Sequence, residues 1–62
     1  MDNEMLNEWW NTIDFNFMES VTGKRRENFS PDEGYQDFID WCDDWWSELS
    51  LEEKLQIKLE TN

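Results

Sequence analysis

The sequence has no histidine and a single cysteine, Cys42. Histidine is the commonest general base and metal ligand near neutral pH, so its absence removes most catalytic and metal-binding arrangements. One cysteine cannot form an internal disulfide. Because Cys42 falls on an apolar helical stripe, where a thiolate is disfavoured, we expect a packed thiol and not a nucleophile. The sequence therefore predicts a protein that is not an enzyme, with no catalytic residues, no metal and no cofactor.

Long apolar runs are also missing, and the start of the chain shows no signal-peptide pattern. These absences predict no membrane span and a cytoplasmic protein. A chain of 62 residues is long enough for one domain, and its core needs large side chains because so small a domain buries little surface. Five Trp, four Phe and one Tyr supply them. We expect residues 1–62 to form a single acidic helical domain.

Basic residues are absent from a long central segment. The chain has a net charge of −11, whereas solubility of a small domain needs a magnitude of roughly 2 to 8. Such a negative field repels nucleic acid and anionic membranes and attracts basic proteins. The partner we expect is therefore a basic nucleic-acid-binding protein. The segment from 27 to 53 holds ten carboxylates and no Lys or Arg: Glu27, Asp32, Glu33, Asp37, Asp40, Asp43, Asp44, Glu48, Glu52 and Glu53.

A long helix is predicted from Ser30 to Leu49. Ser30 and Glu33 have the spacing of a capping box, and Pro31 stands at the first helical position. Apolar residues then recur at spacings of three and four, which places them on one face of a helix. This core stripe consists of Tyr35, Phe38, Ile39, Cys42, Trp45, Trp46 and Leu49.

The first third of the chain shows a second helical pattern that Gly23 ends. One helix from about Asn3 to Thr22 fits it, and so does a broken helix in which Asp14 caps a new segment. A strand over residues 12–18 is the alternative, because apolar and polar residues alternate there. The helical pattern consists of Leu6, Trp10, Ile13, Phe17 and Val21.

The last segment also has two interpretations. Ser50 and Glu53 make a second capping box, which predicts a helix from Leu51. Alternation within residues 54–60 is typical of a strand, and this strand could pair with 12–18 in a small sheet against the long helix, an α+β fold. We favour an all-α small helical bundle because a cap is a directional signal and the alternation is short.

A weak internal repeat, or echo, of the sequence pattern indicates that the chain has two similar halves. Trp9-Trp10 and Trp45-Trp46 lie 36 residues apart, and each pair is followed at the same distance by an apolar residue and a capping residue. Two copies are too few for a solenoid. The echo predicts two helix-turn-helix halves packed antiparallel through their tryptophans.

Three of the five basic residues, Lys24, Arg25 and Arg26, lie in the loop between the halves. They follow a helix C-terminus, where cations favour the helix dipole, and they would screen the acidic helix that follows. The alternative is that they clamp a phosphate or an acidic spot on a partner.

The polar side of the long helix carries a row of carboxylates that recur every three or four residues, so the charges stand roughly 5 to 6 Å apart. This row is similar to the phosphates of a nucleic-acid strand. The alternative is a plain solvated face, but such faces ordinarily mix signs, and like charges four residues apart cost tenths of a kcal/mol. The predicted partner-binding residues are Glu33, Asp37, Asp40, Asp43, Asp44 and Glu48, with Trp41 at the border of the acidic side.

In size, charge and acidic helix the chain resembles the small acidic phage-encoded inhibitors that mimic nucleic acid, such as antirestriction proteins, uracil-DNA glycosylase inhibitors and anti-CRISPR proteins. The resemblance implies an inhibitor in the host cytoplasm that occupies the nucleic-acid groove of a CRISPR effector, a restriction enzyme or a repair nuclease. Binding of that kind would be fast and sensitive to salt.

A competing hypothesis is a helical interaction module, or an antitoxin-like partner, that binds through exposed tryptophan anchors. Trp41 would be such an anchor if it is not a flank of the core. A homodimer that buries the surplus aromatic surface is a further alternative.

Overall fold

The computed structural model describes residues 2–61, and across them the chain forms four α-helices and one 3-10 helix. No strand occurs in this part of the chain, so the all-α prediction is confirmed and the strand alternatives for 12–18 and 54–60 are wrong. The helices are α1 (Asn3–Trp10), α2 (Phe15–Thr22), α3 (Asp32–Ser47) and α4 (Leu51–Glu60), and the 3-10 helix spans Arg26–Asn28.

The N-terminal pattern is two helices and not one. The carboxylate of Asp14 accepts a hydrogen bond from the backbone N–H of Phe17 at 2.8 Å, which starts α2 and breaks the pattern after α1. Gly23 ends α2 with a φ of 79°, a left-handed conformation that glycine adopts without a steric cost. The break at Asp14 and the stop at Gly23 are therefore confirmed.

The capping box at the start of α4 is also confirmed. Ser50 Oγ accepts from the backbone N–H of Glu53 at 3.2 Å, and the Glu53 carboxylate accepts from the backbone N–H of Ser50 at 3.1 Å. Both bonds satisfy N–H groups that have no partner within the helix.

The capping box predicted at Ser30 and Glu33 is wrong. Ser30 Oγ instead accepts from the backbone N–H of Asp32 at 3.2 Å, and no side chain caps α3. Glu33, Gly34 and Tyr35 have φ values of 55°, 66° and 63°, so they form a left-handed turn before the right-handed part of α3. A residue other than glycine pays roughly 1 to 2 kcal/mol for this conformation. The Tyr35 ring packs edge-on against Phe15 at 5.9 Å, a tertiary contact that helps to hold the turn.

The internal repeat of the sequence is also present in the structure. A shift of 36 positions maps the start of α2 onto the start of α4, and their caps Asp14 and Ser50 onto each other. Of the seven buried residues in the described part of the chain, six form three pairs with this spacing. Within each pair the exposed fractions are nearly equal: Leu6 and Cys42 at 0%, Trp10 and Trp46 at 2% and 3%, and Met18 and Lys54 at 6% and 5%.

The two halves meet through reciprocal tryptophan contacts. The rings of Trp10 and Trp46 stack at 4.4 Å with an interplanar angle of 13°. Trp10 Nε1 donates to Asp43 Oδ1 at 2.9 Å, and Trp46 Nε1 donates to Asn7 Oδ1 at 2.8 Å. Positions 7 and 43 are again 36 apart, so each half supplies the acceptor for the other half's indole. The interface therefore has an approximate internal two-fold axis.

Helix pairing follows the same symmetry. α1 packs against α4, and α2 packs against α3. The first helix of one half thus meets the last helix of the other, so the halves run in opposite order across their interface. The shared core is extended by edge-on aromatic contacts of Phe38 with Phe15 and Phe29 at 6.0 and 5.6 Å.

Lys54 is a buried cation at a position where the other half has Met18. Its Nζ donates to Asn3 Oδ1 at 2.9 Å and to Asn7 Oδ1 at 3.4 Å, and it lies 5.5 Å from the centre of the Trp46 ring. The stem therefore fills the core as methionine does, while the ammonium ties α4 to α1.

Candidate partner-binding surface

The right-handed part of α3 and the C-cap residue that follows it present four exposed carboxylates to solvent: Asp37, Asp40, Asp44 and Glu48. Among residues 2–61, none of these four lies within ion-pair distance of a Lys or Arg nitrogen. Asp40 accepts a hydrogen bond from Gln36 Nε2 at 2.8 Å, a contact within the helix that leaves its charge uncompensated. We call these four residues the acidic face. Because they face water, they are available to a cationic partner.

Glu33 does not belong to this row. Its position on the predicted face assumed regular helical spacing from residue 33, but the left-handed turn over 33–35 breaks that spacing. Glu33 is exposed, yet it stands before the right-handed part of α3. The helical-wheel placement of Glu33 is therefore wrong.

Asp43 has an internal role. Its Oδ1 accepts the indole N–H of the buried Trp10, so it joins α3 to α1. A carboxylate that satisfies a buried donor is held in place by the core. The wheel showed which side of α3 carries Asp43, but it could not show that a tryptophan of another helix reaches it.

Trp41 is half-buried and packs against the core, which is the core-flank alternative of the sequence analysis. The Nζ of Lys24 lies 5.0 Å from the centre of its ring. A cation over an indole face is attracted by the ring quadrupole. Trp41 is therefore a fixed side chain with a cation above it, and not a freely protruding anchor.

The other two cations of the loop make contacts within the chain. Arg25 Nε and Arg26 Nε lie 4.0 and 3.8 Å from Glu19 Oε2, and Arg26 also lies over the Phe15 ring at 5.4 Å. The backbone N–H of Arg26 donates to the same Glu19 oxygen at 2.8 Å. These contacts fasten the loop to α2 and leave the acidic face uncompensated.

Cys42 is fully buried in the core, which confirms the prediction of a packed thiol. Burial raises the pKa of the Cys42 thiol, and the nearby charges of Asp43 and Glu19 act in the same direction, whereas a hydrogen bond with Thr22 lowers it. The thiolate form is disfavoured at neutral pH, and the residue serves packing.

A depression of about 230 Å³ lies on α3, between two aromatic and two acidic side chains. Trp41 and Trp45 stand one helical turn apart, and so do Asp44 and Glu48. The sequence analysis assigned Trp45 to the core stripe from its helical spacing, and that spacing gave no sign that Trp45 lines a surface depression. In the structure Trp45 is only partly buried, and its indole forms one wall of the depression.

Comparison of the chain with protein-family models, with curated proteins and with solved structures found no match. In residues 2–61, no three carboxylate or thiol groups converge as metal ligands would, and no helix has the length and apolar character needed to cross a bilayer.

Proposed function

We propose that the protein is an inhibitor that binds a basic nucleic-acid-binding protein through the acidic face of α3. The observation that carries the proposal is the row of four exposed carboxylates without a cation partner in the described chain. Like charges at this spacing oppose each other by tenths of a kcal/mol. A row that is kept unpaired despite this cost is suited to cations of another molecule.

The charges of the acidic face are spaced more widely than the phosphates along one DNA strand, but closely enough for a phosphate-binding groove to contact several of them. Residues 37 to 48 of a helix extend over roughly 16 Å, with a charge about every 5 Å. One strand of duplex DNA carries a charge about every 3.4 Å. The Lys and Arg side chains that hold a phosphate backbone can also bind carboxylates at this spacing, because phosphates and carboxylates both accept charge-assisted hydrogen bonds from them.

The mechanism is occupation of the groove, without catalysis. The net charge of −11 steers the protein to a basic surface, and the acidic face then excludes nucleic acid from it. The partner classes are a CRISPR effector, a restriction enzyme or a repair nuclease in the host cytoplasm, and a phage-encoded counter-defence role follows. The main alternative function is a helical interaction module that binds through exposed tryptophan anchors. Trp41 is half-buried and packs against the core, which argues against this alternative.

The test compares two variants with the same change in charge. The first replaces Asp37, Asp40 and Asp44 with Asn, and the second replaces Glu4, Glu8 and Glu52 with Gln on exposed positions of α1 and α4. Each variant reduces the magnitude of the negative net charge from −11 to −8, because three carboxylates are neutralised. Both are assayed for capture of purified nucleases and CRISPR effectors, and for competition between the protein and DNA, at low and high salt.

We expect the wild type to compete with DNA for a basic nuclease at low salt. The α3 variant should lose this competition, and the α1 and α4 variant should retain most of it. Equal losses in the two variants would show that only total charge matters. A partner that binds DNA unchanged while it is bound to the protein would contradict groove occupation.

A further inference from the structure

The internal two-fold axis makes Trp9 and Trp45 counterparts, but within residues 2–61 a cation lies over the ring of Trp9 and none over that of Trp45. Lys58 Nζ lies 5.4 Å from the centre of the Trp9 ring. The position that corresponds to Lys58 in the other half is Thr22, a neutral residue that cannot supply this cation to Trp45. In the described part of the chain, the symmetry that pairs the buried residues thus does not extend to the cation at Trp9, which has no equivalent at Trp45.

Trp45 also differs from Trp9 in its aromatic neighbours, since no edge-on ring contact of Trp45 occurs within residues 2–61. Phe17 packs edge-on against Trp9 at 5.7 Å, whereas the position that corresponds to Phe17 in the other half is the exposed Glu53. On the Trp45 side the chain instead leaves the depression described above, and the exposed Asp44 and Glu48 line it. Lys24 Nζ already lies 5.0 Å from the centre of the Trp41 ring, at the other indole wall of the depression. The Trp45 indole, with two carboxylates that have no cation partner among residues 2–61, remains for a second cation.

We propose that this depression binds an arginine side chain of the basic partner. Arginine fits better than lysine because its planar guanidinium stacks on an indole while its N–H groups fork toward carboxylates. Arginine is also the residue that nucleic-acid-binding grooves use to hold phosphates in two-pronged contacts. The inference rests on the proposed function, and it names one contact within it.

The peptide test uses a short glycine- and serine-flanked arginine peptide, with lysine and citrulline peptides of the same sequence. Citrulline keeps the planar shape of arginine and lacks the charge. Binding is followed by the NMR signals of the indole N–H groups. We expect the arginine peptide to shift the signals of Trp41 and Trp45, while that of Trp46, whose N–H group donates to Asn7 of the other half, stays in place.

Symmetry supplies the sharpest variant, Thr22→Lys, which places a cation where Lys58 stands in the other half. An internal ammonium over Trp45 should weaken binding of the arginine peptide by roughly three- to tenfold. Thr22→Met is the control, because it has a similar length and no charge and should bind as the wild type does. Circular dichroism verifies that both variants fold.

A second pair of variants tests the carboxylates. Asp44→Asn with Glu48→Gln should abolish the peptide-induced shifts, whereas Glu4→Gln with Glu8→Gln, which removes the same charge from exposed positions of α1 outside the depression, should keep them. Equal binding of the arginine and citrulline peptides, or no response of Trp41 and Trp45, would overturn this inference. The proposed function would still be decided by the competition between the protein and DNA. Peptide binding at Trp45 without any competition with DNA would overturn the proposed function and retain the depression as an arginine site.

Discussion

Asp43 and Asn7 occupy equivalent positions, and each accepts the indole N–H of a buried tryptophan. Because an amide oxygen is sufficient at position 7, we expect Asp43→Asn to change the free energy of unfolding little. Asp43→Ala should lower it by about 1 to 3 kcal/mol, since the N–H of Trp10 then loses its acceptor inside the core. Urea unfolding followed by tryptophan fluorescence measures both values. If Asp43→Asn proves as costly as Asp43→Ala, the carboxylate charge is required and the equivalence of the two positions fails.

Residue roles were only partly predictable. The burial of Cys42 and the exposure of Asp37 and Asp40 follow from helical spacing, which fixes the direction of a side chain. The function of Asp43 depends on Trp10, which lies 33 residues away in the chain. Spacing along one helix carries no information about a side chain that arrives from another helix.

At the level of elements, the left-handed turn at the start of α3 stores backbone strain. Glu33 has a φ of 55° and is exposed, so Glu33→Gly should remove the steric cost and raise the free energy of unfolding by up to about 1 kcal/mol. Gly34→Ala should lower it by about 1 to 2 kcal/mol, because no atom obstructs the added Cβ and only the φ of 66° opposes it. Thermal and urea unfolding measure the changes.

Glu52→Gly is the matched control for this turn. Glu52 stands in the first turn of α4, where the backbone is right-handed, so glycine should lower stability there by roughly 0.5 to 1 kcal/mol. Opposite signs at positions 33 and 52 are the expected result. A loss of stability at both positions would refute the strain at Glu33.

Helix starts were predictable where the signal was local. Asp14 and Ser50 cap α2 and α4 through side-chain bonds to residues three positions away, and such bonds leave a pattern in the sequence. Ser30 has the same pattern, but its hydroxyl accepts from Asp32 instead. The turn after it includes Tyr35, whose ring packs against Phe15 of α2. A contact between distant segments thus overrides a local signal.

At the level of the whole molecule, uncompensated charge opposes folding. With a net charge of −11, the folded state holds its carboxylates closer together than the unfolded chain does. Added NaCl screens this repulsion, so the free energy of unfolding should rise between low and high salt. The variant with Asn at positions 37, 40 and 44 should show a smaller rise. Denaturation by urea at several salt concentrations measures it, and a decrease with salt would mean that the internal ion pairs dominate.

The overall plan was predictable in outline because the repeat of tryptophans and caps lies in the sequence. The stacking of Trp10 on Trp46 and the two indole hydrogen bonds were not, since they join segments that spacing along the chain cannot relate. The difference between Trp9 and Trp45 follows from the repeat, because Lys58 lies over the Trp9 ring and the residue at the corresponding position of the other half is the neutral Thr22.

The internal two-fold axis has a consequence for assembly. Each half presents a surface that fits the other half, so a half from a second molecule offers the same contacts. The connection over residues 23–31 is what allows the two halves to meet within one molecule. If that hinge were too short to fold back, two molecules would exchange halves and form a domain-swapped pair with every tryptophan contact kept. Shortening the connection over residues 23–31 is therefore the change that would favour exchange of halves over closure within one molecule.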